Sequence, residues 1–201
     1  SLEQAATELA LRPLAKHTKI NAFKFRRGTL KDEEKPVIFD AVDEFAAAPL
    51  WWDDTPSQSI VRIGAQARRM KSKHGLGMLI VDYLQLIACH DKSMKRYDAI
   101  GEISRGLKLL ARDLKIPVVA MAQLNRESEQ RGGEPRLSDL RESGNIEQDA
   151  DTVILMHPED DVIKLLIRKQ RNGPLLTVSV LHEKEYYKLT NMVPTMGVPK
   201  L

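Results

Sequence analysis

Asp82 follows directly on the apolar run Met78-Leu-Ile-Val81, so a strand through that run delivers a carboxylate to the carboxyl edge of a sheet. Open α/β sheets bind their ligands at that edge, and an aspartate there suits a Mg²⁺ ion that bridges nucleotide phosphates. Gln123 closes a second apolar run, Val118 to Ala122, and sets a carboxamide at the same edge. For each of the two, an ordinary polar residue ending a strand is the alternative. The polar stretch Arg126 to Gly144 mixes arginines with glycines, which offers guanidinium and backbone N–H contacts to phosphate. It contains no aromatic residue, so base stacking is not expected from it. A solvated surface loop is the alternative, although connections of that length are usually functional or disordered. Lys169-Gln-Arg171 falls at the tip of an expected hairpin, with its cations directed away from the domain's own core. Such a tip reaches a neighbouring subunit's site as an arginine finger does, or else it is a solvated turn. His74, His90, His157 and His182 show no metal-ligand spacing, and Cys89-His90 is not a zinc pattern.

These groups need elements to hold them. Leu2 to Lys16, rich in Ala, Leu and Glu, is expected to be helical, and Leu30 to Ala48 carries a second helix whose start is blurred by Pro36. Leu50-Trp-Trp-Asp53 reads as a short strand closed by Asp54-Thr-Pro56. Ile60, Ile63, Ala67 and Met70 recur at helical spacing and define a buried face, with Arg62, Arg69 and Lys73 turned away from it into solvent. The continuous run at Met78 to Val81 is that of a parallel strand covered on both faces. Ile100, Ile103, Leu107, Leu110 and Leu114 form an apolar stripe opposed by Arg105, Lys108 and Arg112. With Pro117 opening the run Val118 to Ala122, strand, helix and strand make a right-handed crossover. Thr152 to Met156 is expected as a third buried strand. Val162 to Arg168 and Leu175 to His182 flank Arg171-Asn-Gly-Pro174 as an antiparallel hairpin. The expected architecture is α/β, with a mixed, mostly parallel sheet between helices and a C-terminal β-hairpin, in one domain over residues 1–201.

A chain of 201 residues, 42% hydrophobic and 29% charged, is long enough to bury one such core and is ordinary for a globular protein. Its apolar runs are too short to span a bilayer, and Ser-Leu-Glu-Gln has neither the basic nor the apolar region of a secretion signal. The single cysteine, Cys89, excludes an intrachain disulfide and suits a reducing, cytoplasmic setting. A net charge of +3 permits nucleic-acid contact without requiring it. With no initiator methionine at its start, the chain is expected to be a fragment or a processed form.

The runs Leu79-Ile-Val-Asp-Tyr-Leu-Gln-Leu86, Ala122-Gln-Leu-Asn-Arg126, Ser138-Asp-Leu-Arg-Glu-Ser-Gly144, Ile146-Glu-Gln-Asp-Ala-Asp151 and Lys169-Gln-Arg-Asn-Gly-Pro174 closely resemble successive motifs of the DnaB helicase family, in the family's order and spacing. Asp53-Asp-Thr-Pro56 and Lys73-His-Gly-Leu76 resemble the stretch before the family's Mg²⁺-binding strand. The resemblance implies a RecA-like P-loop ATPase fold. It further implies a homo-hexameric ring around single-stranded DNA that uses ATP and Mg²⁺ to translocate and unwind duplex, with a helicase loader and primase as partners. By position, Glu3 of Ser1-Leu-Glu3 resembles the catalytic glutamate that polarises the attacking water, although Gln4 replaces the methionine usual beside it. The resemblance makes Asp82 the Mg²⁺-associated aspartate and Gln123 the amide that senses the γ-phosphate. Arg141, Glu142 and Gly144 match the loop that follows the DNA backbone in the ring's channel. Lys169 and Arg171 match the cations donated in trans to the next subunit's nucleotide, and Arg168 stands where a glycine is common.

No G-x-x-x-x-G-K-S/T occurs in the chain. In the family that loop and its strand lie immediately upstream of the Ser-Leu-Glu segment, behind a primase-interacting N-terminal domain. The first strand and the phosphate-binding loop are therefore expected to be missing, and this piece to be inactive alone, because the loop's N–H groups and lysine are the main cradle for the phosphates. The alternative is a relative without that loop that binds DNA or a helicase ring and does not hydrolyse ATP. A recombinase or clock-type ATPase shares the fold but should lack Asp-Leu-Arg-Glu-Ser-Gly and Lys-Gln-Arg-Asn-Gly.

Overall fold

The computed structural model describes residues 1–89, 91 and 93–192, without the side chains of residues 126, 127, 129 and 141–144. In chain order the elements are helices α1 (Ala6–Thr18), α2 (Ala22–Arg27), α3 (Lys35–Ala47) and α4 (Ile60–His74), strand β1 (Leu79–Val81), helix α5 (Arg96–Leu114), strand β2 (Val118–Ala120), helices α6 (Arg126–Arg131) and α7 (Gly144–Asp149), and strands β3 (Thr152–Glu159), β4 (Val162–Gln170), β5 (Leu176–Glu183) and β6 (Lys188–Asn191). Turns of 3₁₀ type lie at Asp32–Glu34, Leu84–Leu86, Leu137–Ser143 and Lys184–Tyr186. The chain forms two compact units. One comprises Ser1–Ala5, Asp53–Leu155 and Ile167–Leu175. The other comprises Ala6–Trp52, Met156–Leu166 and the described part of Leu176–Leu201.

The first unit is organised by two helices and two strands. Helix α4 starts where the Ser59 hydroxyl accepts a hydrogen bond from the Arg62 N–H, and it stops at Gly75, whose φ of 67° a side chain would disfavour. Ile63 and Ala67 are buried on it, and Ile60 and Met70 half-buried, as the helical spacing predicts. On α5 all five residues of the expected stripe are buried, while Arg105 and Arg112 are turned outward. The two helices approach so closely that a Cβ added to Gly106 would sit 2.7 Å from Ile60 Cγ1. Strands β1 and β2 pair in parallel, with Leu79 opposite Val118, Ile80 opposite Val119 and Val81 opposite Ala120. Val81, Leu84, Ile87, Ile116 and Ile146 join the α4 and α5 stripes in one core.

The second unit packs α1 against α2 and α3. Small residues permit the approach, since Ala15 and Ala41 are almost fully enclosed, and His17 meets Phe45 edge-on at 5.6 Å between ring centroids. Helix α2 is capped by Asn21, whose side chain accepts from the Phe23 N–H, and by Gly28 in the left-handed region. Strands β5 and β6 pair antiparallel, with Val180 opposite Asn191 and Glu183 opposite Lys188.

Several expectations are corrected in detail. The class is α/β with the C-terminal hairpin, but where one mixed, mostly parallel sheet is expected, the described strands hydrogen-bond as two. These are the parallel pair β1-β2 and a four-stranded sheet in the order β3-β4-β5-β6. Strand β1 is covered on one face only among the described residues: Val81 is buried and Ile80 is 56% exposed. Strand β3 alternates rather than being buried throughout, with Val153 and Leu155 inside and Ile154 and Met156 outside. The burial alternates although the outward residues, Ile154 and Met156, are themselves apolar. Leu50 to Asp53 is not a strand; the Leu50 N–H turns back to Ala48 O at 2.7 Å instead of entering a ladder. The first helix begins at Ala6 rather than Leu2, because the Ser1 hydroxyl takes the Glu3 and Gln4 N–H groups. The expected helix Leu30 to Ala48 is divided into the Asp32–Glu34 turn and α3, and α2 is not anticipated.

Leu109 and Leu110 are neighbours in sequence on opposite sides of α5, 53% and 4% exposed. Leu110→Ala should destabilise this chain by about 2–5 kcal/mol through lost burial and a residual cavity, and Leu109→Ala by no more than about 0.5 kcal/mol. Urea midpoints of the two variants measure the difference. Equal losses would mean that α5 does not bury the stripe described.

Candidate functional site

Glu3, Asp82, Tyr83, Met121, Ala122 and Gln123 line a recess of about 300 Å³ at the carboxyl edge of β1 and β2. The segment carrying Glu3 is tied there by main-chain contacts. Leu2 N–H donates to Asp82 O at 2.7 Å, and the Ser1 ammonium donates to Asp53 O at 2.7 Å. Beyond the strands the ladder continues from Met121 N–H to Val81 O and from Leu84 N–H to Met121 O, each 2.9 Å. The Asp82–Tyr83 peptide is cis. The Gln85 side chain then binds the main chain of Gln123 twice. Its Nε2 donates to Gln123 O at 3.0 Å, and its Oε1 accepts from the Gln123 N–H at 3.2 Å. Three residues that the sequence singles out for nucleotide chemistry, Glu3, Asp82 and Gln123, therefore meet in one place.

Among the described residues neither the Glu3 nor the Asp82 carboxylate is engaged by a side-chain donor, and no group of three or more His, Cys, Asp or Glu side chains is placed to hold a metal. Such a donor set fits Mg²⁺, which uses one or two carboxylates and completes its octahedron with water and phosphate oxygens. It does not resemble the closed cages of structural metals.

The stretch after Gln123 is ordered around Asp139. Both Asp139 oxygens accept from the Arg131 guanidinium, at 2.9 and 2.7 Å, and one also accepts from the Arg136 N–H at 2.7 Å. The Asp139 carbonyl receives the Asn125 N–H at 3.0 Å. The side chain is buried. The Arg131 fork, opposed by burial and helped by the Arg136 N–H and the charges of both arginines, pushes the Asp139 carboxyl down to about 2. Residues 131–137 and Arg168 surround an open cavity of about 550 Å³, with Arg168 paired to Glu134 at 2.7 Å. The long loop expected here thus carries helix α6 and a 3₁₀ turn. Arg141 and Glu142 fall within that turn, Leu137–Ser143, and Gly144 opens α7. The expectation that Arg141, Glu142 and Gly144 follow a DNA backbone rests on groups outside the described residues.

Lys169 and Arg171 are not held away from the protein, as a hairpin tip implies. Lys169 lies within β4, and its ammonium donates to the carbonyls of Glu147 and Gln148 at the end of α7. Arg171 donates to Gln148 O at 2.9 Å and approaches Asp151 at 3.2 Å, while Lys108 meets the same carboxylate at 2.5 Å. The Lys108 hydrogen bond is the largest reason that the Asp151 carboxyl sits below its usual range, and the charges of Arg171 and Lys169 add to it. The carbonyl end of a helix attracts cations, and here it takes two. Neither residue lines the recess.

Two participants escape the sequence. Gln85 lies inside a recognised run but carries no chemistry by its type, and only its reach to Gln123 gives it a place. The Arg131–Asp139 pair joins residues eight apart across irregular backbone, where no periodicity signals a contact.

The fold superposes on a solved ATPase domain with a TM-score of 0.91 and 34% identity, over 96% of this chain and 73% of that one. It superposes as well on a DnaB-like replicative helicase solved in a study of its interactions with primase, with a TM-score of 0.90 and 33% identity, over 96% of this chain and 49% of that one. The fold is of the RecA-like ATPase class. The family model of the DnaB-like helicase C terminal domain matches residues 1–191, and the chain belongs to that family. Replicative DNA helicase DnaB of Geobacillus stearothermophilus is 43% identical across 96% of the chain and 45% of its own length. Replicative DNA helicase DnaC of Bacillus subtilis is 42% identical over the same shares, 96% and 45%. The DnaB of Mycobacterium leprae is 42% identical over 96% of the chain and 33% of its own length. The chain thus spans less than half the length of these curated relatives.

Because the Asp139 carboxyl is depressed in the folded chain, its contribution to stability is complete above about pH 4, where the unfolded carboxyl is also ionised. It should be lost as the pH falls toward about 2. Urea midpoints measured through that interval for the chain and for Asp139→Asn should converge with acid. A constant gap would remove the ion pair from the stability of this loop.

Proposed function

We propose that this chain is the motor portion of an ATP-dependent replicative DNA helicase, a homo-hexamer that moves on single-stranded DNA and unwinds duplex. The observation that carries the reading is the meeting of Glu3, Asp82 and Gln123 in one recess at the carboxyl edge of a parallel pair, in a chain of this family. Asp82 would hold Mg²⁺ through its carboxylate, and the ion would supply positive charge to the phosphates of ATP when bound. The Glu3 carboxylate accepts a hydrogen bond from the attacking water and aligns it. Gln123 offers its carboxamide N–H to the γ-phosphate. Arg141, Glu142 and Gly144 track the phosphodiester backbone, a contact that carries no base preference. Lys169 and Arg171 serve the nucleotide of the adjacent subunit, which asks their heads to exchange the carbonyls of Glu147 and Gln148 for phosphate oxygens.

The sequence holds no G-x-x-x-x-G-K-S/T, so this chain by itself is not expected to turn over ATP. Primase and a helicase loader are the partners of the full-length protein in this reading. A solved relative is described with its interactions with primase. No described helix is long and apolar enough to cross a membrane, and in this reading the work is done in the cytoplasm.

Glu3→Gln in the full-length protein should leave ATP affinity within about threefold and lower turnover by about 100-fold or more, since a carboxylate that aligns water acts in the transition state. Nucleotide-binding titrations beside steady-state phosphate release separate the two. Parallel loss of both would make Glu3 a structural residue and remove the central support of the reading.

The trans role of Arg171 is tested by mixing subunits. Arg171→Ala subunits combined with subunits whose phosphate loop is disabled should form some interfaces that join an intact loop to an intact finger, so mixed rings regain ATPase activity absent from either homogeneous ring. Verified mixed rings that stay inactive would count against Arg171, and the same mixture made with Lys169→Ala would show whether the point charge carries the role.

A further inference from the structure

The main chain of β1 leaves the sheet one rung too early for Gln123. Val81 O receives the Met121 N–H and Met121 O receives the Leu84 N–H, which brings the ladder to its last main-chain rung. Residues two apart on a strand present their peptide groups to the same neighbour, so Gln123 is the next position on that edge. By then the opposite chain has turned into the 3₁₀ segment Leu84–Leu86 and offers no peptide group. The Gln85 side chain supplies one. A carboxamide carries one carbonyl and two N–H donors, and here it bonds Gln123 as a facing peptide would, donating to its carbonyl at 3.0 Å and accepting from its N–H at 3.2 Å.

The geometry points to Gln85 as a positioning residue for ATP hydrolysis, a side chain that holds the Gln123 backbone so that the Gln123 carboxamide stands at the recess beside Asp82. The inference rests on the nucleotide reading of that recess. Gln85 does not line the recess and touches neither Asp82 nor Glu3 through any described hydrogen bond; it acts through Gln123. Both bonds lie in exposed surroundings, where a lost partner is replaced by water and the net effect on stability is small. Their work is therefore geometric. Without them Gln123 is free of its last rung, and a reacting group displaced by about 1 Å loses up to about 100-fold in rate. The same anchor fixes the start of the next segment, because Asn125, two residues on, donates to Asp139 O.

The test uses the full-length protein and four forms: wild type, Gln85→Met, Gln123→Ala and the double variant. Methionine keeps the length and volume of the side chain and removes both hydrogen bonds. Gln85→Met should lower kcat by about 10-fold or more, leave KM for ATP within about twofold and leave the thermal midpoint unchanged. In the Gln123→Ala background the same substitution should change kcat by less than about twofold, since there is then no carboxamide to place. An equal drop in both backgrounds, or a loss of activity matched by a lowered thermal midpoint, overturns the assignment in favour of a structural role. Wild-type turnover in Gln85→Met with Gln123→Ala impaired overturns it while leaving the reading of Gln123 intact. Wild-type turnover in both single variants overturns the positioning role and the sensing role together.

Discussion

The parallel pairing of β1 and β2 is the constraint from which the site follows. Two strands of three residues each cannot be joined in parallel by a tight turn. The chain must leave one end of the pair, travel its length and return, and the 19 residues of α5 make that return. Burial of Ile100, Ile103, Leu107, Leu110 and Leu114 against α4 and the strands holds the crossover in place. Once both strands run the same way, both of their carboxyl ends open on the same edge. Asp82 and Gln123 meet there because of this topology and not because of any attraction between them. Glu3 joins them from a distant part of the sequence through one main-chain hydrogen bond to Asp82, made by its neighbour Leu2. The chemistry is thus assembled by backbone, and among the described residues no side-chain donor claims the two carboxylates.

Beyond Gln123 the organising interactions are ionic. The stretch between β2 and β3 is built of short helical pieces, and it is organised by a buried carboxylate held in an arginine fork. A planar guanidinium suits this task because it fills two acceptor positions at once and stays charged at every relevant pH. The backbone N–H of Arg136 takes a further lone pair, so Asp139 is satisfied where an unpaired charge would be costly. The result is a segment whose short helical pieces are tied together at Asp139.

What the sequence reveals and what it conceals follow from the range of the forces involved. The stripes of α4 and α5 are legible because a helix repeats its buried face within a few residues. Strands β1 and β2 are legible because apolar runs bounded by Gly77 and Pro117 have few other folds. Asp82 and Gln123 are legible because they close those runs. The failures lie where a local pattern is ambiguous. Leu50-Trp-Trp-Asp53 has the composition of a strand, yet no described strand comes to pair with it. Thr152 to Met156 is apolar at every position after the first, so only burial tells that Ile154 and Met156 face outward. Lys169 reads as a hairpin tip because Asn172-Gly-Pro174 marks the turn, while the strand before it runs two residues past Arg168, where the expected strand ends. Gln85 could not be read at all, since its partner is 38 residues away and a glutamine at a turn has no pattern to betray it.

The cations at the end of α7 have one further consequence. Each carbonyl of Glu147 and Gln148 that holds Lys169 or Arg171 occupies a donor that is then closed to any other anion. Two acceptors in competition for one donor are thermodynamically linked, and the linkage is reciprocal. An outside oxyanion that captures these heads must displace them from the carbonyls of Glu147 and Gln148, which are then left to water, and whatever weakens that hold raises the affinity of the same heads for an outside oxyanion by an equal factor. Because α7 begins at Gly144, directly after the Leu137–Ser143 turn, its two ends report to different places: one to the loop, the other to the cations.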